Sequence, residues 1–220
     1  MAILITQFLS HLNNSFITIP NLVTEDYIRC VFACVHGPSN CEIEIPYCHP
    51  KSKLTPFVKK GYFVSNKPRA DIVYFDSNNN ADMVIEFKYH RSTPISQNCT
   101  STKMGSAFRD LNRLSTLSVN EKYLVYVFDG NMQNYYRGWK GNNDPKFFFD
   151  ATEQANHIGQ VYKIGNNNPN VNFCRKDFLD KAFDGFSAGS QNFTAFSYDI
   201  KVIFAGSIAT GKYMVIYQVQ

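Results

Sequence analysis

The sequence predicts an α/β fold in which helices alternate with strands, followed by a C-terminal portion rich in strands. Three observations carry that expectation. Two runs, Ala70 to Asp76 (ADIVYFD) and Met83 to Tyr89 (MVIEFKY), are β-branched and aromatic, and the turn formers Ser77-Asn78-Asn79-Asn80 between them make the pair read as a β-hairpin. Met104, Ala107, Phe108, Leu111, Leu114 and Leu117 recur every three or four residues, the spacing of an amphipathic helix. Lys122 to Phe128 (KYLVYVF) then reads as a further strand, ending at Asp129-Gly130.

The remaining elements follow in chain order. Thr24 before Glu25 and Asp26 is a helix start, because a hydroxyl can accept from the exposed amides of the first turn and acids are favoured beside them. Val23, Tyr27, Ile28, Val31, Phe32 and Val35 continue at helical spacing until Gly37-Pro38 stops the run. A polar connection containing Pro46, Pro50 and Pro56 leads into Gly61 to Ser65, read as a short strand. Beyond Gly130 the expectation is a polar and aromatic loop over Asn131 to Pro145 and short strands at Phe147 to Phe149 and Val161 to Ile164. A helix over Arg175 to Phe186 and two long strands, Phe193 to Ala205 and Lys212 to Val219, complete the chain. No internal repeat and no long linker divides it, so residues 1–220 are expected to form a single domain.

Composition excludes several classes. With 44% hydrophobic, 15% aromatic and 18% charged residues among 220, the chain is not of disordered composition. A net charge of +4 names no partner by itself, but its distribution is uneven. Between Lys51 and Arg91 lie Lys51, Lys53, Lys59, Lys60, Lys67, Arg69, Lys88 and Arg91 against only Asp71, Asp76, Asp82 and Glu86, a neighbourhood suited to attracting phosphates while holding a cation. No stretch approaches the roughly 20 apolar residues of a membrane span, and Met1 to Ser10 lacks the basic flank of a signal peptide, so the expected location is cytoplasmic with no membrane partner. The six cysteines form no disulfide framework and are expected to be reduced.

The chemistry concentrates in the hairpin. Residues two apart in a strand share a face, so Glu86 and Lys88 project together while Phe87 turns toward the core. A hairpin centred between Asn78 and Asn79, or between Asn79 and Asn80, sets Asp71 opposite Glu86 or Lys88 on that same face. Two carboxylates beside a lysine suffer repulsion and desolvation that a hard divalent cation relieves. Mg²⁺ is satisfied by one or two carboxylates, waters and a substrate phosphate.

Asp71 followed fifteen residues later by Glu86-Phe87-Lys88, in a helix–three strands–helix–strand context, resembles the PD-(D/E)xK nuclease superfamily. The resemblance covers residues from about 22 to 130, leaving a β-rich C-terminal extension over about 131–220. It implies a restriction endonuclease-like core, a small mixed β-sheet flanked by helices, and a Mg²⁺- or Mn²⁺-dependent endonuclease that hydrolyses phosphodiester bonds of DNA. Asp71 and Glu86 match the metal-binding acids and Lys88 the catalytic lysine of the motif. Glu25 matches the extra acid that some members carry on the first helix. Arg109 and Arg113 lie where a phosphate-facing residue is often found, although Asp110 and Arg113 at i, i+3 also read as a surface ion pair. The motif's proline is absent, since Ala70 precedes Asp71 and Pro68 stands three residues ahead. One such site cuts one strand, so a homodimer or successive nicks would be needed to cut both. The alternative is a nuclease fold kept as a nucleic-acid or protein interaction module without catalysis.

Other signals read as structural. Gly206 to Lys212 has the spacing of a phosphate-binding loop, but Tyr213 replaces the required Ser or Thr and a strand follows, so a hairpin turn is expected. Cys30, Cys34, Cys41, Cys48 and His49 lack the paired spacing of a zinc site, and buried small thiols on a helix face are expected instead. His90 is expected to be exposed beyond a strand end, and Trp139, Tyr135 and Tyr136 to fold back on the body or stack on bases.

Overall fold

The computed structural model describes residues 4–37, 41–46, 69–91, 99–139, 144–165 and 197–220. In chain order these form α1 (Ile5–Thr18), α2 (Glu25–His36), β1 (Cys41–Pro46), β2 (Arg69–Phe75), β3 (Ala81–His90), α3 (Cys99–Ser115), β4 (Glu121–Asp129) and α4 (Gly130–Arg137). A 3-10 turn over Pro145–Phe149, α5 (Ala151–Gln154), β5 (Val161–Gly165), β6 (Ser197–Ala209) and β7 (Lys212–Val219) follow.

The strands make one seven-stranded sheet in the order β1-β2-β3-β4-β7-β6-β5. Among the described strands only β3 and β4 run parallel; every other pair is antiparallel. A parallel pair cannot be closed by a tight turn, and α3 supplies the crossover. β4 sits at the centre and is apolar on both faces, as a strand covered on both sides must be. Its Leu124, Tyr126 and Phe128 pack with α3, α4 and the 145–149 turn, while Tyr123, Val125 and Val127 pack with α1 and α2. The product is a three-layer α/β/α sandwich. Among the described residues, no helix is long and apolar enough to cross a membrane.

The β2–β3 register decides which side chains meet. Asp76 Oδ1 accepts from the amides of Asn78 and Asn80 at 2.9 and 2.7 Å, and the Asp76 amide donates to the Asn80 carbonyl at 2.8 Å. The turn is therefore centred on Asn78, which was not among the expected centres. Continued regularly, it would pair Asp71 with Ile85 and leave Asp71 and Glu86 on opposite faces. Instead Phe75 pairs with Ala81 but Tyr74 pairs with Met83, so Asp82 is an extra, bulged residue. The bulge shifts the pairing to Ile72–Ile85 and sets Asp71 level with Glu86, the first of the two expected alignments.

Elsewhere the structure adds to and corrects the sequence reading. α1 was not anticipated, although Phe8, Leu12 and Phe16 bury one helical stripe. The proline-containing connection begins with an edge strand, β1, whereas the expected strand at Gly61 to Ser65 and helix at Arg175 to Phe186 lie outside the described residues. Asn131 to Pro145 is not all loop. Asp129 caps α4 there by accepting from the Met132 amide at 3.0 Å. Phe147 to Phe149 is a 3-10 turn rather than a strand, begun by Asp144 and Pro145, and it buries all three rings on one side. The β-rich C-terminal region is continuous with the sheet, since β7 pairs with β4 along Tyr123 to Asp129.

Asn79 holds a left-handed φ of 61° in the hairpin turn. A β-branched residue cannot adopt this freely, so Asn79→Val should lower stability by about 1–2 kcal/mol in urea unfolding, whereas Asn79→Gly should not lower it.

Candidate active site

The β2–β3 ladder stops at Ile72–Ile85, yet β3 continues beside β4 as far as His90. Backbone amides on the opened edge still need acceptors. Carboxylates from two other elements provide them. Phe87 N–H donates to Asp71 Oδ2 at 2.6 Å, and Tyr89 N–H donates to Glu25 Oε2 at 2.9 Å. Glu25 is placed by α2, whose first turn is capped by Thr24 Oγ1 accepting from the Tyr27 amide at 3.1 Å.

Phe87 packs edge-on against Phe32 of α2, so Glu86 and Lys88 face the α3 layer. There Lys88 Nζ lies 2.9 Å from Asp110 Oδ2. Asp110 is wholly buried and also meets Arg113 Nη1 at 3.3 Å and Arg109 Nε at 3.9 Å. The Asp110–Arg113 pair is thus not a surface pair: it is one side of a buried cluster that holds the lysine. Sequence reasoning passed over Asp110 as a site residue, although its place three residues after Ala107 and four before Leu114 puts it on the buried stripe of α3.

A second residue was missed on α2. Arg29 is only 8% exposed and stands among four carboxylates: Glu44 at 2.8 Å, Asp26 at 3.0 Å, and Glu25 and Asp71 each at 3.6 Å. The signal available was its position four residues after Glu25, one turn along the same face. The structure therefore brings Asp71, Glu86, Lys88, Glu25, Arg109 and Arg113 into one neighbourhood and adds Asp110 and Arg29.

Burial shapes the charges. Glu86, 2% exposed, has its pKa raised well above the usual carboxylate range by desolvation first and then by Asp71 and Asp110, against the pull of Arg113 and Lys88. Asp71 and Glu25 are raised as well, chiefly by burial, even though each accepts a backbone amide and has cations nearby. For Lys88 burial acts downward, but Asp110, Glu25 and Glu86 outweigh it and hold the ammonium protonated. Lys88 is consequently a cation and a hydrogen-bond donor at neutral pH, not a base.

Among the described residues, no three His, Cys, Asp or Glu side chains form a ready cage for a metal ion. The donor set nevertheless fits a hard cation that needs few protein ligands. Asp71 and Glu86 are oxygen donors whose mutual repulsion a divalent charge would relieve. No protein-family model, curated protein or solved structure matches the chain.

The competing motifs resolve as structure. Gly206 to Lys212 spans the end of β6, the two-residue turn Thr210-Gly211 and the start of β7, with Gly211 at φ 66° and Ala209 paired to Lys212. Trp139 packs edge-on against Phe147 and donates to Asp150 Oδ2 at 3.3 Å, while Tyr136 is buried. Cys30 and Cys34 are exposed rather than buried, and Cys48 and His49 lie outside the described residues. His90 is the last residue of β3 and is not exposed. Its Nδ1 meets Tyr126 Oη at 2.9 Å, and burial, with Lys88 and Lys103, pushes its pKa down to about 3, so it offers a phosphate no charge.

The raised carboxylate pKa values set a sign. A folded state that holds protons more tightly than the unfolded chain has stability that is present below the ordinary carboxylate range and is lost as pH rises through the raised values. Urea midpoints should therefore fall as pH rises above the ordinary carboxylate range. Glu86→Gln, which cannot ionise, should be more stable than wild type at pH 7 and show a flatter profile. A variant less stable than wild type at pH 7 would contradict this electrostatic picture.

Proposed function

We propose that the chain is a Mg²⁺-dependent nuclease of the PD-(D/E)xK kind, acting on phosphodiester bonds of DNA. The observation that carries the reading is the convergence of Asp71, Glu86 and Lys88 where the β2–β3 ladder opens, with the lysine held as a cation by Asp110. The order α2, β1, β2, β3, α3, β4 supports it, since it is the helix–three strands–helix–strand order of the restriction endonuclease-like core.

Asp71 and Glu86 would hold Mg²⁺ or Mn²⁺, which when bound polarises a phosphoryl oxygen and lowers the pKa of a coordinated water. The chain's own residues perform the rest. Lys88 donates toward the attacking water or the charge that develops at phosphorus, and Asp110 fixes its direction. Glu25 and Asp71 are aligned by the amides they accept, before substrate arrives. Arg109 and Arg113 complete a basic wall on the α3 side that suits a phosphate backbone. One such centre cuts one strand, so duplex cleavage would need a homodimer or successive nicks.

The test is nicking of supercoiled plasmid with Mg²⁺, with and without chelator. Asp71→Ala and Glu86→Ala remove oxygen donors, and both nicking and Mg²⁺ binding should fall. Lys88→Ala removes the nearest of the three cations around the buried Asp110, leaving Arg113 and Arg109, and is expected to lose about 1.5–3 kcal/mol of stability. The informative protein is therefore Lys88→Met/Asp110→Asn. It should stay folded and bind Mg²⁺ within a few-fold of wild type, yet lose about a hundredfold or more in hydrolysis. Nicking that persists in excess chelator, or wild-type hydrolysis by the double variant, contradicts the mechanism. Persistent DNA binding with no hydrolysis by wild type would point instead to an interaction module.

A further inference from the structure

Arg29 poses a question that the catalytic reading does not answer, because a nearly buried guanidinium stands 3.6 Å from Asp71, one of the two acids expected to hold the cation. Its four ion pairs are unequal. Glu44 Oε1 accepts a hydrogen bond from Nη1 at 2.8 Å, and Asp26 lies at 3.0 Å from Nη2, whereas Nη2 lies 3.6 Å from both Glu25 and Asp71. The guanidinium is thus held by short contacts on both nitrogens, Nη1 to Glu44 and Nη2 to Asp26, and the same Nη2 leans at longer range on the site carboxylates. Its buried Nε has no hydrogen-bond partner among the described residues, so the present arrangement does not saturate it. The anchor itself is strained. Glu44 reaches Arg29 from an edge-strand position with a left-handed φ of 56°, which carries a steric penalty for a residue with a Cβ.

We propose that Arg29 is a built-in counter-cation for Asp71 and Glu25, and that a divalent cation binds by exchange with it: the guanidinium withdraws from those two carboxylates while Glu44 and Asp26 retain it. The proposal rests on the nuclease reading above and assigns Arg29 a positioning role. Two facts about charge require some such device. Asp71 lies close enough to Glu25 to raise its proton affinity, and burial raises both, so without a nearby cation the two carboxylates would repel and move apart. A guanidinium is suited to the task because it is always charged, weakly hydrated and able to bridge several carboxylates from one position. Its long contacts to Glu25 and Asp71 leave them oriented but not locked, and its short contacts to Glu44 and Asp26 give it somewhere to remain after exchange. The exchange costs little reorganisation because Asp71 stays fixed by the Phe87 amide and Glu25 by the Tyr89 amide throughout.

The experiment is calorimetric titration of Mg²⁺ and Mn²⁺ into the full chain, without substrate, for wild type, Arg29→Gln, Arg29→Lys and Glu86→Gln, with unfolding temperatures recorded in chelator and in saturating Mg²⁺. Arg29→Gln should bind the cation roughly tenfold more tightly, as expected for removal of one unit charge a few ångströms away in a partly wet site. It should also be less stable than wild type in chelator and gain more from Mg²⁺. Arg29→Lys keeps the charge but cannot bridge the same carboxylates, so it should remain folded and fall between the two. In a structure with Mn²⁺ bound, the guanidinium should be beyond ion-pair distance of Asp71 and still on Glu44. If Glu86→Gln abolishes cation binding but Arg29→Gln binds within twofold of wild type or more weakly, the exchange is overturned and the nuclease reading stands. If wild type binds no divalent cation, or Glu86→Gln binds it equally well, the nuclease reading fails and the exchange fails with it.

Discussion

Strands β2 and β3 part beyond the Ile72–Ile85 pair, and the amides of Phe87 and Tyr89 on the edge of β3 opened there are answered by carboxylates instead of a neighbouring strand. An unpaired buried amide is costly enough that something must fill the place. Filling it with Asp71 and Glu25 has consequences that spread through the neighbourhood. Acidic groups are drawn into a partly dry gap, where they repel one another and where Glu86 stands close by. Cations must follow. Arg29 arrives from α2 on one face of the sheet and Lys88 stands on β3 toward the other, itself secured by the buried Asp110 of α3. The acids are thus aligned by backbone demands before any ligand is considered, which is the form of preorganisation that a reactive site needs.

The same arrangement explains why so many charged groups survive near a hydrophobic core. Burying a carboxylate is unfavourable, and the raised proton affinities of Glu25, Asp71 and Glu86 record that the cluster would relax if protonated. Pairing offsets part of the penalty without removing it, since ion pairs of this kind seldom match the stability of well-packed apolar side chains. The apolar layers on both sides of β4 supply the stability that the cluster does not. A strained, charge-rich patch held by a strong core is the usual balance between stability and function.

Much of this was legible in the sequence because it follows from short-range pattern. The alternation in ADIVYFD and MVIEFKY, the turn residues between them, and the three-to-four spacing of Met104 to Leu117 each specify a local element, and each element is present. The alignment of Asp71 with Glu86 was legible only as one of two alternatives. The extra residue at Asp82 that selects it leaves no mark in composition, since a bulge is defined by the partner strand. Asp110 and Arg29 were overlooked for a related reason. Asp-x-x-Arg and Glu-x-x-x-Arg are ordinary surface pairs on a helix, and only the packing of α3 and α2 against the sheet turns them inward. α4 was hidden by a polar, aromatic segment of poor helix formers, stabilised instead by the Asp129 cap and by burial of Met132 and Tyr136.

If, as proposed, a divalent cation binds at the opened edge of β3, Mn²⁺ will report its own location there by broadening the NMR signals of nearby nuclei. Titrating small amounts of Mn²⁺ into ¹⁵N-labelled protein should broaden the amides of Phe87, Glu86 and Asp71 first. Those of Lys163 and Ile164 on β5, at the far edge of the sheet, should remain sharp. Uniform broadening, or broadening centred elsewhere with Phe87 unaffected, would contradict the account.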